Sequence, residues 1–309
     1  MSHALRPVVP EDPDAPLPGM IGCEPAMREV YRQARRLAPT DLPVVVAGET
    51  GTGKELVARA IHKLSPRTAG PFIDVNCAAI AEGVAEGELF GWERGAFTGA
   101  HERVLGLLEI ADGGTLFLDE ACSLPQGLQG KLLRALEYGE FRRVGGRTLV
   151  RSDFRLVLAV ARALDDLLAS RTFRRDFGYR VSGAVITLPP LRARVCDVRL
   201  LAERFLEEAS CEARRPLRWH EDALATLERH AWPGNVRELR MLVRRLAVLT
   251  EHDVISVEGL WGAGFAPAHS ASDPGQLKAA LDACGGNWTR AACALDIPRT
   301  TLRDRLLKQ

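Results

Sequence analysis

Short apolar runs, rich in β-branched residues, alternate along the first 190 residues with segments whose apolar positions recur at helical spacing. An apolar run bounded by turn residues predicts a buried parallel strand, and strands that alternate with helices predict a doubly wound α/β sheet. The predicted strands cover residues 44–46, 71–77, 113–120, 154–160 and 185–188, and the predicted helices cover 26–38, 56–63 and 127–138. We therefore expect a five-stranded parallel sheet.

The pattern changes after Pro189 and Pro190, where helical spacing continues without further strands. The predicted helices there cover residues 197–213, 221–231 and 235–250. They indicate a helical subdomain over residues 191–261, which follows an α/β subdomain over residues 19–190.

Two stretches predict no regular structure. Residues 262–275 consist largely of small, Ser, Pro and His residues, which predicts a linker. Residues 1–18 contain five prolines and several acids, which predicts a disordered tail that is too short to be a sensory domain.

The last segment, residues 276–309, predicts a compact all-α unit. Three short helices fit its pattern, at residues 276–284, 288–294 and 298–308, and Pro298 suits the first position of the last helix. This spacing, with six basic and three acidic residues, is typical of a helix-turn-helix DNA-binding domain. The side chains that the last helix offers to a major groove are Arg299, Thr300, Thr301, Arg303 and Arg305. A small packing bundle with a solvated basic face is the alternative.

Composition narrows the function classes. The 309 residues can form one large core with a smaller module, and the net charge of +1 predicts that nucleic-acid affinity comes only from a local patch. No apolar run approaches the ~18 residues that span a membrane, and the N-terminus lacks a secretory-signal pattern. Seven scattered cysteines without a Cys-x-x-Cys pair suit a reducing cytosol and disfavour zinc and disulfide sites. We therefore expect a cytoplasmic protein.

A glycine-rich loop with the pattern G-x-x-x-x-G-K lies between the first predicted strand and the next helix. Strand, glycine loop and helix form the context of a phosphate-binding loop, in which backbone N–H groups and a helix N-terminus point at phosphates. Lys54 would reach the β- and γ-phosphates, while Glu55 occupies the place of the usual Ser or Thr whose hydroxyl holds Mg²⁺. The predicted nucleotide site consists of Gly48, Glu49, Thr50, Gly51, Thr52, Gly53, Lys54 and Glu55.

Two acids end the predicted strand of residues 113–120, and such a pair has a clear chemical use beside a phosphate loop. Asp119 would hold Mg²⁺, directly or through water, and Glu120 would polarise the attacking water. Asn76 ends another predicted strand, where it would orient a carboxylate or a water near the γ-phosphate. The alternatives are a strand that meets a polar turn for the two acids, and a strand-end turn residue for Asn76.

Residues 88–100 place glycines and small residues around Phe97 and Thr98, which predicts a mobile loop with one aromatic at its tip. Taken alone, this pattern favours a flexible Gly-rich surface loop. The other motifs of the chain change that interpretation.

Together the motifs resemble one family, the AAA+ activators of sigma-54 RNA polymerase, or bacterial enhancer-binding proteins. The resemblance covers about residues 19–261, with a Fis-like unit at the C-terminus. Its motifs are GETGTGKE (48–55), ELFGWERGAFTGA (88–100), GGTLFLDE (113–120), QGKLLRALEYGEFRRVGG (129–146), FRRDFGYR (173–180), LPPLRAR (188–194) and WPGNVREL (232–239). GAFTGA is close to diagnostic, and it makes the glycine-rich loop a predicted contact site.

The resemblance implies an AAA+ P-loop fold with a helical lid, hydrolysis of ATP with Mg²⁺, and a hexameric ring of this chain alone or mixed with a homologue. It also implies that the GAFTGA loop contacts sigma-54, and that hydrolysis moves this loop to open the closed promoter complex from upstream DNA sites. The loop residues are Gly95, Ala96, Phe97, Thr98, Gly99 and Ala100.

Single residues also match functional positions of the family. Asn76 would sense the γ-phosphate and restrain Glu120. Arg174 and Arg180 match the arginines that reach across into the neighbouring subunit's ATP site, and Arg237 matches the second sensor on the helical lid. For Arg174 and Arg180 the alternative is a pair of exposed arginines on a helix.

The chain departs from the family's pattern at several positions. Val160 and Ala161 replace the polar Thr and Asn of the first sensor, and Arg175 and Gly178 replace the usual acid and aromatic of the arginine segment. The other departures are Gly87 where Ser is frequent, Trp92 where His is usual, and Asp296 in place of a turn glycine.

Two functions therefore stand beside each other. One is an ATP-dependent activator that opens sigma-54 promoters, and the other is a DNA-binding regulator with an impaired ATPase that acts in a mixed ring or as a repressor or competitor. The retained catalytic motifs favour the first, whereas Val160 and Ala161 favour the second. No receiver or ligand-sensing domain precedes the core in this sequence, so we expect control through expression level, a partner protein or hetero-assembly.

Overall fold

The computed structural model describes residues 12–170 and 172–265, together with the single positions Leu281, Asn287, Trp288 and Arg303. The chain divides into two compact units, residues 1–190 and residues 191–309. Apart from those single positions, the predicted C-terminal helices (276–284, 288–294 and 298–308) lie outside the described residues, as do residues 1–11.

The first unit alternates helices and strands. Its helices are α1 (Pro25–Leu37), α2 (Lys54–Lys63), α3 (Glu82–Phe90), α4 (Leu107–Ile110), α5 (Gln126–Tyr138), α6 (Leu164–Ala169) and α7 (Arg175–Val181). Its strands are β1 (Val44–Ala47), β2 (Phe72–Asn76), β3 (Gly91–Trp92), β4 (Val104–Leu105), β5 (Thr115–Asp119), β6 (Glu140–Phe141), β7 (Val150–Arg151), β8 (Arg155–Val160) and β9 (Val185–Thr187). A short 3₁₀ helix covers Ala121–Ser123.

Five strands form one parallel sheet in the order β2-β5-β8-β1-β9, which confirms the predicted α/β architecture. The register pairs Asn76 with Asp119 at the ends of β2 and β5, and Ala47 with Val160 at the ends of β1 and β8. Because all five strands run the same way, the residues that follow their carboxyl ends gather along one edge of the sheet. The glycine-rich loop after β1, Asn76 and the two acids therefore share that edge.

The sheet is covered on both faces. Every residue of β1 and β8 is buried, and alternate residues of β1 belong to two separate apolar clusters. Val45 and Ala47 pack in the cluster that includes α3 and α5, whereas Val44 and Val46 pack in the cluster that includes α1 and α2. Neighbouring side chains of a strand point to opposite faces, so a sheet with helices on both faces requires continuous apolar runs.

The prediction of a disordered tail is wrong for residues 12–18, which pack against α1. Leu17 is 1% exposed in the cluster that includes α1, and the Arg35 guanidinium donates to the carbonyl oxygens of Pro13 (3.0 Å) and Pro16 (3.2 Å). Prolines lack an N–H group, and their fixed φ lowers the entropy that ordering costs. A proline-rich segment can therefore be held through its carbonyl groups.

In its described residues the second unit is helical, with one pair of two-residue strands. Its elements are α8 (Val195–Ala213), β10 (Arg218–Trp219), α9 (Glu221–Glu228), α10 (Asn235–Leu249), β11 (Val254–Ile255) and α11 (Val257–Gly262). The predicted linker starts too early, because Phe265 is 6% exposed and its ring lies 5.7 Å from that of buried Trp232. Across the described part of both units, no helix combines the length and the apolar composition of a membrane span.

Candidate functional site

The phosphate loop joins β1 to α2 and is shaped by glycines. Gly48, Gly51 and Gly53 have φ angles of +154°, +81° and +103°, in a region that residues with side chains rarely adopt. A Cβ at Gly48 would also lie 3.0 Å from the carbonyl oxygen of Leu188, so a side chain there would meet the backbone. The Gly48 N–H donates to the carbonyl oxygen of Val160 (3.1 Å), which fixes the loop to the end of β8.

Lys54 begins α2 and folds back onto the loop. Its ammonium donates to the carbonyl oxygens of Gly48 (2.7 Å) and Glu49 (3.0 Å), and the Thr52 hydroxyl donates to the same Glu49 oxygen (2.8 Å). A helix N-terminus also presents backbone N–H groups, an arrangement that favours phosphate. The loop thus brings a cation and a set of backbone donors together.

Glu55 stands where phosphate loops usually carry Ser or Thr. Its carboxylate accepts a hydrogen bond from Arg59 (2.6 Å), and Arg59 also donates to Asp74 on β2 (2.9 Å). Burial, and then the negative charge of Glu55, raises the pKa of Asp74 above its ordinary value. Glu55 therefore belongs to a charged network between α2 and β2.

Strand β5 ends at Asp119, one residue earlier than predicted, because Glu120 adopts a left-handed backbone with φ +50° and ψ +42°. This conformation costs a residue other than glycine about 1 kcal/mol, and such outliers cluster at functional sites. The Asp119 carboxylate accepts a hydrogen bond from the Glu120 N–H (2.9 Å), and the Glu120 side chain is exposed. The turn keeps Asp119 at the strand end and puts Glu120 in solvent beside it.

Asn76 lies beside Asp119 in the register of β2 and β5. Its side-chain oxygen accepts hydrogen bonds from the N–H groups of Ala78 (2.9 Å) and Ala79 (3.2 Å), and so it closes the turn after β2. The strand-end turn alternative therefore describes this conformation, and a contact with Glu120 stays a prediction.

The position of the first sensor is apolar. Val160 is fully buried at the end of β8, and the backbone of Ala161 lies close enough to the Cys122 thiol to affect its pKa. Burial raises the pKa of Cys122, and burial together with the charge of Asp119 raises the pKa of Cys77 to about 12. Sequence reasoning missed these two protonated thiols, although Cys122 almost adjoins the acidic pair in the sequence.

The two predicted arginine fingers are exposed. Arg174 precedes α7 and donates to both carboxylate oxygens of Asp176 (3.1 and 2.8 Å), while Arg180 lies in the last turn of α7. The hydrogen bonds between Arg174 and Asp176 raise the pKa of the arginine and lower the pKa of the aspartate. One departure from the family has a packing reason, because a Cβ at Gly178 would lie 2.2 Å from Cδ2 of Leu168.

The GAFTGA loop lies between the short antiparallel strands β3 and β4. The Phe97 side chain is 51% exposed, and its ring meets that of Trp92 edge-on, with 5.6 Å between the ring centroids. Gly95 and Gly99 have φ angles of +82° and +103°, yet a Cβ at either would meet nothing within 4 Å. A Cβ at Gly87 would lie 3.1 Å from the indole, so the departures at Gly87 and Trp92 belong together.

A buried arginine fixes the base of this loop. Arg143 donates to both carboxylate oxygens of Glu109 (2.8 and 2.6 Å) and to Glu93 (2.7 Å), and these hydrogen bonds raise its pKa. Gly145 approaches Ala96 so closely that a Cβ on Gly145 would lie 2.7 Å from that of Ala96. The segment after α5 therefore supports the loop, a role that sequence reasoning missed.

Comparison with known proteins decides which family this arrangement represents. A family described as Sigma-54 interaction domain matches residues 20–187, more than half of the chain. The chain belongs to the sigma-54-dependent transcriptional activators. The AAA+ ATPase lid domain matches residues 192–274, and the Fis family of bacterial regulatory proteins matches residues 275–308. These matches confirm the predicted family and the AAA+ fold with a Fis-type helix-turn-helix unit.

Curated relatives of this chain include the DNA-binding transcriptional regulator NtrC of Azospirillum brasilense, which is 48% identical over 255 residues, or 82% of this chain and 53% of that protein. The Nif-specific regulatory protein of Rhodobacter capsulatus is 47% identical over 250 residues, or 80% of this chain and 43% of that protein. The chain thus spans about half the length of these relatives.

Solved structures of a relative agree with this fold. A crystal structure of NtrX from Brucella abortus has a TM-score of 0.72 and 35% identity, and the match covers 93% of this chain and 68% of NtrX. Another, of NtrX in complex with ATP, has a TM-score of 0.71 over 94% of this chain and 69% of NtrX.

The remaining predicted site residues belong to the second unit. Arg237 is exposed on α10, which begins at buried Asn235, and the side-chain oxygen of Asn235 accepts a hydrogen bond from the Leu191 N–H (2.8 Å). Of the predicted DNA contacts, Arg303 is exposed. The others, Arg299, Thr300, Thr301 and Arg305, lie outside the described residues.

Proposed function

We propose that this chain is an ATP-dependent activator that binds upstream DNA, forms a hexameric ring in the cytoplasm, and remodels the closed complex of sigma-54 RNA polymerase holoenzyme. The proposal rests on the phosphate loop, which is folded around the Lys54 ammonium, and on the two acids that lie at the same edge of the sheet. In the same chain the GAFTGA loop keeps Phe97 half exposed. The complex of its relative NtrX with ATP supports nucleotide binding within the family.

ATP would bind with its phosphates on residues 48–55. Lys54 would exchange the loop carbonyls for the β- and γ-phosphates, which offer it full negative charges instead of dipoles. The Asp119 carboxylate is a hard oxygen donor at the strand end and so fits Mg²⁺, which would neutralise phosphate charge. Glu120, exposed beside Asp119, would polarise the attacking water and accept its proton.

A neighbouring subunit would complete the site. Arg174 and Arg180 are exposed, which suits a reach into another chain's ATP site, and a finger of this kind contributes roughly 10³–10⁵ in rate. Arg237 on the lid would read the nucleotide of its own subunit. Asn76 would exchange its turn hydrogen bonds for a contact with Glu120 when the γ-phosphate is present. Turnover would then depend on assembly.

Phe97→Ala tests the partner assignment. We expect the variant to bind ATP and assemble normally but to lose capture of sigma-54, because Phe97 is the aromatic anchor that the loop presents. Tyr138→Ala is the matched control, since Tyr138 is an aromatic that is 71% exposed at the end of α5. Capture is measured on immobilised sigma-54 with a transition-state analogue of ATP, and undiminished capture by Phe97→Ala contradicts the assignment.

DNA binding is assigned to residues 276–309. Removal of this segment should abolish binding to specific DNA and leave nucleotide-dependent assembly intact, which a gel shift beside size-exclusion chromatography measures. Within it, Arg303→Ala should weaken the specific complex by about 1–3 kcal/mol through loss of a base contact. An unchanged footprint contradicts a recognition role for Arg303.

The apolar first sensor favours a second candidate function. Val160 and Ala161 supply neither the hydroxyl nor the amide with which the family's sensor reads the γ-phosphate. The chain would then be a DNA-binding regulator with an impaired ATPase, acting in a mixed ring or as a repressor or competitor. Val160→Thr/Ala161→Asn separates the two candidates, because only an impaired ATPase should gain substantial turnover from the restored polar groups.

A further inference from the structure

Gln129 on α5 has a fully buried side chain that hydrogen-bonds at both ends. Its amide nitrogen donates to the carbonyl oxygens of Leu124 (2.9 Å) and Thr172 (3.1 Å), and its amide oxygen accepts from the N–H of Arg174 (2.9 Å). Both amide hydrogens are therefore used, and all three partners are main-chain groups outside α5. The side chain joins two segments that are distant in the sequence.

The first segment leads back to the acidic pair. Leu124 follows Glu120 by one 3₁₀ turn, and two hydrogen bonds close that turn. They run from the Ser123 N–H to the Glu120 carbonyl oxygen (2.9 Å) and from the Leu124 N–H to the Ala121 carbonyl oxygen (3.2 Å). The Leu124 carbonyl group that Gln129 holds therefore lies one hydrogen-bonded turn beyond Glu120.

The second segment carries the arginine finger. Gln129 holds the backbone of Arg174, and Gly130 leaves room for its guanidinium, since a Cβ on Gly130 would lie 3.1 Å from Nη1 of Arg174. The Asp176 carboxylate, two residues further along the chain, accepts a hydrogen bond from the same guanidinium (2.8 Å). The Gln-Gly pair that opens the motif QGKLLRALEYGEFRRVGG thus contacts both the main chain and the side chain of the finger.

We propose that Gln129 is a positioning residue that couples the acidic pair of one subunit to the arginine which that subunit contributes to its neighbour's ATP site. This proposal rests on the proposed role of Arg174 in trans. Movement of the turn that follows Glu120 shifts the main chain of Arg174 and so changes how well the next site is completed. The amide transmits the shift because breaking any of its bonds leaves a buried polar group unpaired.

Hydrogen exchange at the Arg174 amide tests the contact itself. Gln129→Met keeps the length of the side chain and removes all three bonds, so we expect the Arg174 amide to exchange about tenfold faster, as loss of one ordinary hydrogen bond implies. Gln126→Met replaces an exposed glutamine on the same helix and should leave that rate unchanged. An unchanged rate in Gln129→Met overturns the proposal.

Mixed rings separate coupling from a merely structural role. Arg174→Ala subunits keep an ATP site but contribute no finger, whereas Lys54→Ala subunits contribute a finger but bind no ATP. Turnover of their mixture therefore reports donation of the finger in trans. Gln129→Met should lower this turnover about tenfold to a hundredfold when it is added to the Lys54→Ala donor, and about twofold or less when it is added to the Arg174→Ala acceptor.

Gly130→Ala keeps the test falsifiable if Gln129→Met does not fold, because it crowds the Arg174 guanidinium without removing a buried hydrogen bond. It should lower the turnover of the mixture when it is added to the Lys54→Ala donor and leave that turnover unchanged when it is added to the Arg174→Ala acceptor. Equal losses in donor and acceptor, or an undiminished donor, overturn the proposal. A mixture of the two parent variants without any turnover contradicts the trans finger of the proposed function, and with it the coupling role of Gln129, whereas the exchange rate at Arg174 still reports the contact between these two residues.

Discussion

Two glycine-rich loops of the first unit, the phosphate loop (residues 48–53) and the GAFTGA loop (residues 95–100), need glycine for different reasons. At Gly48, a positive φ and the Leu188 carbonyl oxygen, 3.0 Å from a Cβ built there, both oppose a side chain. At Gly99 the φ angle is also positive, but nothing lies within 4 Å of a Cβ. The surroundings fix the first loop, whereas the second needs glycine only for its turn.

The hydrogen bonds of the two loops differ in the same way. The phosphate loop bonds to the end of β8 and to the ammonium of Lys54, while the GAFTGA loop bonds across itself, from the Gly95 N–H to the Ala100 carbonyl oxygen (2.8 Å), and packs on Trp92. The two loops therefore differ in their attachment: the loop proposed to bind phosphate is bonded to the end of a buried strand, whereas the loop proposed to contact a protein partner lies on a separately fixed base.

The largest expected difference comes from replacing one glycine in each loop with alanine. Gly48→Ala should cost about 1–3 kcal/mol of unfolding free energy and abolish measurable ATP binding, because both φ and the Leu188 backbone oppose the new Cβ. Gly99→Ala should cost about 1–2 kcal/mol, because only φ opposes its Cβ, and should leave ATP binding intact. Urea unfolding and titration with a fluorescent ATP analogue measure both effects. Equal losses of unfolding free energy and of ATP binding in the two variants would contradict the difference between the loops.

A smaller effect is expected when Trp92, whose ring packs against Phe97, is replaced. Trp92→Ala should speed cleavage by trypsin at exposed Arg94 about twofold to tenfold, because an edge-to-face aromatic pair contributes about 0.5–1.5 kcal/mol. ATP binding should not change. Trp261→Ala, at a tryptophan that is 42% exposed on the second unit, is the control and should leave cleavage at Arg94 unaltered. Weakened ATP binding in Trp92→Ala would show that the loops are not independent.

The smallest expected effect is a pH dependence of the free energy of unfolding, which arises from a histidine on the helix that follows the phosphate loop. His62 on α2 lies 2.9 Å from the Thr115 hydroxyl, and burial, with the charge of Arg155, lowers its pKa below 6.5. The unfolded state therefore binds the proton more readily, so the free energy of unfolding falls as pH drops below about 6.5 and levels off below the folded pKa.

We expect this loss to stay under about 1 kcal/mol after solvent screening, and His62→Gln should remove it. Urea unfolding at neutral and mildly acidic pH measures the difference. Cleavage of the GAFTGA loop by a protease with little pH dependence in this range serves as the internal comparison, and it should not follow the same curve.

The sequence predicts the phosphate loop residue by residue because its requirements are local, with strand, loop and helix in direct succession. The five sheet strands are predictable because a sheet covered on both faces demands apolar runs. The support of the GAFTGA loop is not, since Arg143 pairs with Glu109 and Glu93, which lie 34 and 50 positions away. Strands β3 and β4 have two residues each, too few for any periodic pattern.

The errors of the sequence analysis also have tertiary causes. Burial of Leu17 depends on contacts with α1 that a proline-rich composition does not reveal. The left-handed turn at Glu120 has no signal in a residue type that seldom adopts it. The role of Gln129 follows from partners 5, 43 and 45 positions away, so only the folded chain brings it into view.

We have proposed that a neighbouring subunit completes the ATP site, and the decisive measurement is the turnover of Mg²⁺-ATP as a function of protein concentration. The native chain, Arg174→Ala and Val160→Thr/Ala161→Asn are measured in parallel. We predict that native turnover per subunit rises cooperatively with concentration and that Arg174→Ala abolishes the rise. A flat, near-zero turnover at every concentration, rescued by the double change, would contradict the account and favour a regulator whose ATPase is impaired.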